Sequence, residues 1–330
     1  MNRLLKLQKK LYIKGRWNNR MYLSQKGRTQ QKLAEILLSC KVGSQIPTFS
    51  ELHKQLSVGT GTIQSAMKEF EQNGIIRLQA QPRYGTILEY KDIKQLWEFL
   101  PNRHLVGLFP EPLSLEMRGL AMGIRTALND FNIPLVIVYG YGSKVRFDRI
   151  LENDAPEDFV ISSLASAKDR QKSSSDLEIA LHLKEHSFYD EHSLMLLENK
   201  VNNTSAGTNL RVGIDPNSYD QAELTRKIYP NANYVEVKYA DIPFEVLNNS
   251  IDCAVWHQTI QQRFFSKSLI HTEKITQEMS KDINLSEVCE AVLTINQQNK
   301  LVADLLSHID INKVIRIQKE VLNNQLEAIF

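Results

Sequence analysis

The chain has 330 residues, 42% of them hydrophobic, and its 40 Lys and Arg against 38 Asp and Glu leave a net charge of +2. That length holds one small and one larger domain, each with apolar residues enough for a core. No run of about 18 apolar residues occurs, and lysines interrupt the apolar residues near the N-terminus, so neither a membrane span nor a signal-peptide core is expected, and a cytoplasmic protein with no membrane partner is.

Charge is not spread evenly. Residues 1–32 contain ten Lys or Arg (Arg3, Lys6, Lys9, Lys10, Lys14, Arg16, Arg20, Lys26, Arg28, Lys32) and no acid, whereas residues 33–90 balance five against five. The first 90 residues therefore carry +10 and the rest −8. A DNA-binding head on a body that does not bind DNA has this asymmetry, and so does a solvated basic tail. Residues 1–23 are read as a basic extension reaching phosphates. Leu33, Ile36, Leu37 and Cys40 recur at helical spacing, and Gly43 ends that helix. Thr48 and Glu51 form a capping-box pattern that starts a second helix near Phe49, with Leu52 and Leu56 turned inward. After Val58-Gly59-Thr60, Ile63, Ala66, Met67 and Phe70 make a third apolar stripe, which stops at Gly74. Ile75–Leu78 and Thr86–Leu88 read as two strands around a polar tip containing Pro82 and Gly85. Residues 24–90 thus spell a winged helix-turn-helix.

At these residues the chain resembles the GntR family of bacterial transcriptional regulators. Ile46-Pro47-Thr48-Phe49-Ser50-Glu51-Leu52 stands where that family has Leu-Pro-Ser-Glu-x-x-Leu, and Gly85-Thr86 where it has Gly-Thr after the wing. The resemblance implies double-stranded DNA as a partner and a homodimer on a two-fold-related site. One departure is that Gly59-Thr60-Gly61-Thr62-Ile63-Gln64 replaces the family's Ser-Arg-Thr-Thr-Val-Arg, so the third helix begins without arginine. Its outward residues Thr60, Thr62, Gln64, Ser65 and Lys68 suit base edges, Gln64 being able to pair bidentately with adenine. Thr48 and Ser50, Arg83 on the wing, and Arg28 and Lys32 of the first helix complete the expected DNA contacts.

Residues 91–104 read as a short linker with a possible helix ended by Pro101. From Leu105 strand and helix patterns alternate: strands at 105–109, 135–138, 159–161, 210–214, 234–238 and 253–256, with helices at 117–128, 218–228 and 244–247. Such alternation predicts parallel α/β sheets covered by helices. The stretch 171–204 reads as less regular, and 285–326 as helical throughout. Two α/β blocks, together with the phrase Asp241–Val255, look like a type 2 periplasmic-binding-protein fold, a two-lobed clamshell. Joined to the head, the layout resembles the YhfZ-type regulators. The expected architecture is an N-terminal winged helix-turn-helix plus a two-lobed α/β ligand-sensing domain over residues 105–330.

In such a clamshell, ligands lie beyond the carboxyl ends of the strands and at helix N-termini, where free N–H groups favour anions. That rule selects Ser114, Tyr141, Ser162, Ser163, Ser218, Tyr219, Trp256 and His257 for a small effector, expected to be anionic. Ser114 and Ser218 serve equally well as plain helix caps. No Walker lysine motif, HExxH or GxSxG appears, so no catalytic residue and no cofactor is assigned. His182, His186, Asp190, Glu191 and His192 form the best metal-ligand cluster, but in so polar a segment they read better as exposed side chains. The three cysteines, Cys40, Cys253 and Cys289, lack CxxC spacing and suit buried thiols. Two alternatives stay open: a binding protein or enzyme whose head no longer serves DNA, and a repressor that needs no ligand.

Overall fold

The computed structural model describes residues 23–190, 193–199, 210–257, 270–280 and 282–328. The basic residues Arg3 to Arg20, expected to reach phosphates, lie outside them, as do Glu191 and His192. The chain divides into two units. One holds the described residues up to Leu105 together with Asn129–Pro134 and Lys300–His308, and the other holds Val106–Leu128, Leu135–Asn299 and the residues from Ile309 on.

In the first unit α1 (Gln25–Ser39) starts well before its apolar stripe, because Ser24 Oγ accepts the Gly27 N–H at 3.1 Å and caps it there. Leu33, Ala34, Leu37 and Leu38 are its buried face. Helix α2 (Phe49–Leu56) begins at the capping box: Thr48 Oγ1 accepts the Glu51 N–H, and the Thr48 N–H donates to Glu51 Oε2 at 2.7 Å. Helix α3 (Thr60–Gln72) buries Ile63, Ala66, Met67 and Phe70. Strands β1 (Ile76–Gln81) and β2 (Gly85–Lys91) pair antiparallel as the wing, and α4 (Ile93–Trp97) follows.

Residues 300–308, read from the sequence as part of the sensing domain, pack with this unit instead. The helix Lys300–Ser307 lies against α1. Lys91 fixes it there. Its Nζ donates to the carbonyls of Leu38 (2.8 Å) and Cys40 (2.6 Å) at the end of α1, and to Asp304 Oδ2 at 2.7 Å. All three ammonium hydrogens have acceptors, and the charge sits at the negative end of a helix dipole.

The second unit contains two five-stranded sheets. Its elements include β3 (Leu105–Phe109, of which all but the first residue belongs here), α5 (Leu115–Leu128), β4 (Leu135–Tyr139), α6 (Ser143–Ile150), β5 (Phe159–Ser163), α7 (Leu164–Ser173), β6 (Leu177–His182), β7 (Leu194–Asn199), β8 (Arg211–Ile214), α8 (Tyr219–Ile228), β9 (Asn233–Glu236), α9 (Ile242–Leu247), β10 (Cys253–His257), β11 (Ile270–Lys274), α10 (Leu285–Cys289), β12 (Ala291–Asn296) and α12 (Ile311–Leu322); the Lys300–Ser307 helix of the first unit, α11, comes between the last two along the chain. One sheet has the order β4-β3-β5-β12-β6 and the other β11-β7-β10-β8-β9.

Three expectations are corrected here. The sheets are mixed rather than parallel: β12 runs antiparallel to β5 and β6, and β7 antiparallel to β10 and β11. The stretch from Leu285 is not helical throughout, since the chain turns at Glu290 and the β-branched Val292, Thr294 and Ile295 form a buried strand inside the first sheet. The described residues between 171 and 199 are more regular than expected, because β6 and β7 lie among them. Helix α12 then packs on α5, where Gly119 and Gly123 allow close approach: a Cβ on Gly123 would come within 2.6 Å of the Val314 carbonyl oxygen.

The buried ammonium makes a testable demand. Replacing Lys91 by Met keeps most of the side-chain volume but leaves Asp304 buried without its cation, which should cost about 3–5 kcal/mol. Denaturant unfolding should show that loss for Lys91→Met and almost none for Lys94→Ala on exposed α4 positions; equal stability of the two would mean that the pair contributes little.

Candidate functional site

The helix-turn-helix exposes one helix face and one loop. On α3, Thr60, Gln64, Ser65 and Lys68 are exposed and Thr62 is partly so, while the opposite face is core. Gly59 caps this helix with backbone alone, leaving its first N–H groups without a side-chain acceptor. Lys68 is the only basic residue of α3, and Lys26 of α1 pairs with Glu69 at 2.5 Å. Arg83 is exposed at the wing tip in a left-handed conformation (φ 73°) next to Gly85, and Arg28 and Lys32 are exposed on α1. Ser50 is exposed, but the Thr48 hydroxyl is committed to Glu51, at 2.8 Å, so a carboxylate occupies the place where Thr48 would meet phosphate.

The second unit contains a cavity of about 150 Å³. Its walls come from the ends of strands, as expected for an open α/β sheet. Pro110, Glu111, Leu113 and Ser114 follow β3; Tyr141, Gly142 and Ser143 follow β4; Ser218 and Asp220 follow β8; Lys238, Tyr239 and Ala240 follow β9; His257 ends β10. Met117, Arg146, Phe188 and Tyr189 complete the lining.

Hydroxyls join the two sheets beside this cavity. Asp220, in the first turn of α8, accepts Ser163 Oγ at 2.9 Å and Ser166 Oγ at 3.2 Å on the same oxygen, Oδ1. Ser143 Oγ accepts the Tyr219 N–H at 3.2 Å, and the Lys144 N–H donates to the Asn217 carbonyl at 3.1 Å. Gly142 is required at this junction: its φ is +65°, and a Cβ would lie 2.7 Å from the Asn217 oxygen.

Two opposite charges face the cavity without meeting. Arg146, 4% exposed, donates from Nη1 to the Gly140 carbonyl at 2.9 Å; its Nε is buried without an acceptor, and no carboxylate among the described residues forms an ion pair with it. Burial lowers its pKa to about 10, which leaves it charged at neutral pH. Asp220, 6% exposed, has no hydrogen-bond donor on Oδ2 among the described residues. Burial raises its pKa to about 6, against the opposing effect of the two serine hydroxyls and of Arg146. His257 is pushed down to about 3 by burial and is neutral; its Nδ1 lies 2.6 Å from Tyr239 Oη. So weak a base is poorly matched to proton abstraction near pH 7.

Of the sequence-predicted ligand residues, Ser114, Tyr141, Ser218 and His257 line the cavity. Ser114 also accepts the Met117 N–H at 3.2 Å at the start of α5, whereas Ser218 makes no side-chain cap bond. The other four do not line it. Ser162 is fully buried and donates to the Ser163 carbonyl; Ser163 is spent on Asp220; Tyr219 contributes its N–H to Ser143; Trp256 packs into the core with Ile242, Val246 and Ile251. Arg146, Asp220, Tyr189 and Tyr239 are lining residues outside the sequence-predicted set. An acid two residues beyond Ser218, in the first turn of the same predicted helix, was the one local signal for Asp220. His182 ends β6 and bonds Glu290, and His186 sits in a turn at φ 61°, so their four-residue spacing does not place them on a helix face.

Comparison with known proteins follows this division. A profile described as "Helix-turn-helix domain" matches residues 41–88, and one described as "YhfZ C-terminal domain" matches residues 92–329. The chain is 24% identical over 311 residues to a protein of Escherichia coli (strain K12) described as "Uncharacterized protein YhfZ", covering 93% of this chain and 98% of that one. The crystal structure of YhfZ from Shigella flexneri is similar at 21% identity, covering 69% of this chain and 99% of that one, with a TM-score of 0.48. The methionine-binding protein MetQ is similar at 12% identity, covering 67% and 96%, with a TM-score of 0.45. The fold is a helix-turn-helix domain followed by a two-sheet α/β domain. No helix among the described residues is long and apolar enough to cross a membrane.

Asp220 gives this site a pH signature. Its folded pKa, about 6, lies above the ordinary carboxylate value of 3.8, so its contribution to stability is full below that ordinary value and is lost as pH rises through about 6. At pH 7 the ligand-free protein therefore carries a penalty that asparagine would lack. Asp220→Asn should be more stable than the parent by on the order of 2–3 kcal/mol at pH 7, with the difference shrinking toward pH 4. Unfolding curves at the two pH values measure this, and a difference independent of pH would mean that the carboxyl titrates normally.

Proposed function

Because this chain belongs to the YhfZ family, matched through residues 92–329, we propose that it is a GntR-like transcriptional regulator whose two-sheet domain binds a small effector bearing a negatively charged group. The observation that carries this reading is Arg146: a buried guanidinium without a carboxylate partner among the described residues, in the cavity of a two-sheet α/β domain, on a chain that also contains a helix-turn-helix. A buried charge is costly unless compensated, and an acidic ligand compensates it. The protein acts in the cytoplasm as a homodimer, each head reading half of a two-fold-related site through Gln64 and its neighbours on α3, with Arg83, Arg28 and Lys32 on phosphates. No catalytic step is assigned to the cavity.

An effector alters DNA binding only if it binds two conformations of the protein with different affinity. The path of the chain supports such coupling. It passes from one unit to the other at 105/106, 128/129, 134/135, 299/300 and 308/309, so more than a single linker joins them. The helix Lys300–Ser307 is held in the head by Lys91, and the chain continues from it directly into α12, which packs on α5.

A second reading, in which the head no longer serves DNA and the domain alone functions, is favoured by one observation. Helix α3 has a single basic residue, Lys68, against Glu69 and Glu71. Retention of DNA separates the two readings. The purified protein, offered random duplexes and fragments of its own upstream region at two salt concentrations, should enrich a two-fold-symmetric site; retention of nothing at low salt would support the second reading. On the enriched site Gln64→Ala should lower affinity by about 1–3 kcal/mol, roughly 5- to 150-fold, and change random-DNA binding little. Equal losses on both would reassign Gln64 to backbone contact.

A further inference from the structure

Arg146 and Asp220 form an unusual pair. Both are more than nine-tenths buried, both line the same cavity and each feels the other's charge, yet they make no ion pair. Each is anchored on one side by the protein and free on the other. Arg146 Nη1 is tied to Gly140, while its Nε lacks an acceptor. Asp220 Oδ1 is tied to Ser163 and Ser166, while Oδ2 lacks a donor among the described residues. The remaining charged lining residues, Glu111 and Lys238, are exposed and of opposite sign, so the cavity wall is neutral in sum.

A simple anion would satisfy Arg146 but would leave a net negative charge beside the Asp220 carboxylate. A simple amine would do the reverse. A ligand with a negative and a positive group a few ångströms apart satisfies both and keeps the total at zero. Resting on the reading of this cavity as the effector site, we propose that the effector is a zwitterion of the α-amino acid class, its carboxylate on Arg146 and its ammonium on Asp220. Phe188, Tyr189 and Tyr239, with Leu113 and Met117, supply apolar walls for the side chain. The volume of about 150 Å³ limits it to a small compound.

The test uses the full-length protein and thermal melting. Each standard α-amino acid is titrated, and any that stabilises is compared with the acid lacking its amino group and the amine lacking its carboxylate. The proposal expects saturable stabilisation by at least one amino acid, with both truncated compounds at least tenfold weaker. Asp220→Asn should bring the amino acid and its deaminated acid within about threefold of each other, and Arg146→Met should remove binding of both. Since Asp220→Asn is expected to fold at least as stably as the parent, its loss of selectivity reads the ammonium contact itself. A deaminated acid that binds as tightly as the amino acid would overturn the zwitterion and leave the acidic-effector reading intact. No stabilisation by any amino acid or any truncated acid would overturn both. An amino acid that binds as described but leaves DNA affinity unchanged would overturn the regulatory reading alone.

Discussion

The acceptance of two serine hydroxyls by one oxygen of Asp220 is the interaction around which the second unit is arranged. Ser163 and Ser166 belong to the sheet that contains β5 and to the helix leaving it, while Asp220 belongs to the helix after β8 of the other sheet. The bond ties the sheets and also buries a carboxylate at a place where burial disfavours its charge. Stability alone would be served better by an uncharged residue. A group held against its own preference in the same cavity wall as a buried arginine that has no carboxylate partner among the described residues fits a site that takes a ligand, because binding then removes costs already borne by the free protein.

The same economy is visible in the head, with opposite meaning. Lys91 is as buried as Arg146, but its three hydrogens all find oxygen acceptors and its charge finds Asp304. It has no capacity left for a ligand. What it does is fasten a helix from the last third of the sequence to the end of α1, so that the head includes a segment distant in sequence from its other elements. The proposed regulatory role needs an element shared in this way, since an effector can shift only an equilibrium in which its own site and the DNA-reading surface both take part.

Much of this was legible in the sequence where the determining forces are local. The Thr48–Glu51 capping box, the stripe on α3 and the strand Leu105–Phe109 depend on neighbours along the chain, and each was found where the residues put it. Strand β12 was not, because Val288, Cys289 and Val292 continue a helical spacing across the point where the chain turns, and only pairing with β5 and β6 makes 291–296 a strand. The cavity was half legible for a related reason. Loop ends gave Ser114, Tyr141, Ser218 and His257, but Arg146 lies a turn into α6, a helix absent from the elements read from the sequence. Strand alternation separates Trp256 from His257, sending the indole into the core while the imidazole reaches the cavity wall. A sequence shows that residues are adjacent, but which face each takes is fixed by the sheet they join.

One titration bears most directly on the whole account: the affinity of the full-length protein for its enriched DNA fragment, with and without a stabilising amino acid, for the parent chain and for Asp220→Asn. The account predicts that the amino acid changes the parent's DNA affinity at least fivefold, and that at the same concentration the variant responds several-fold less. DNA affinity that is the same with and without the amino acid in the parent, at concentrations that saturate the cavity, would contradict it.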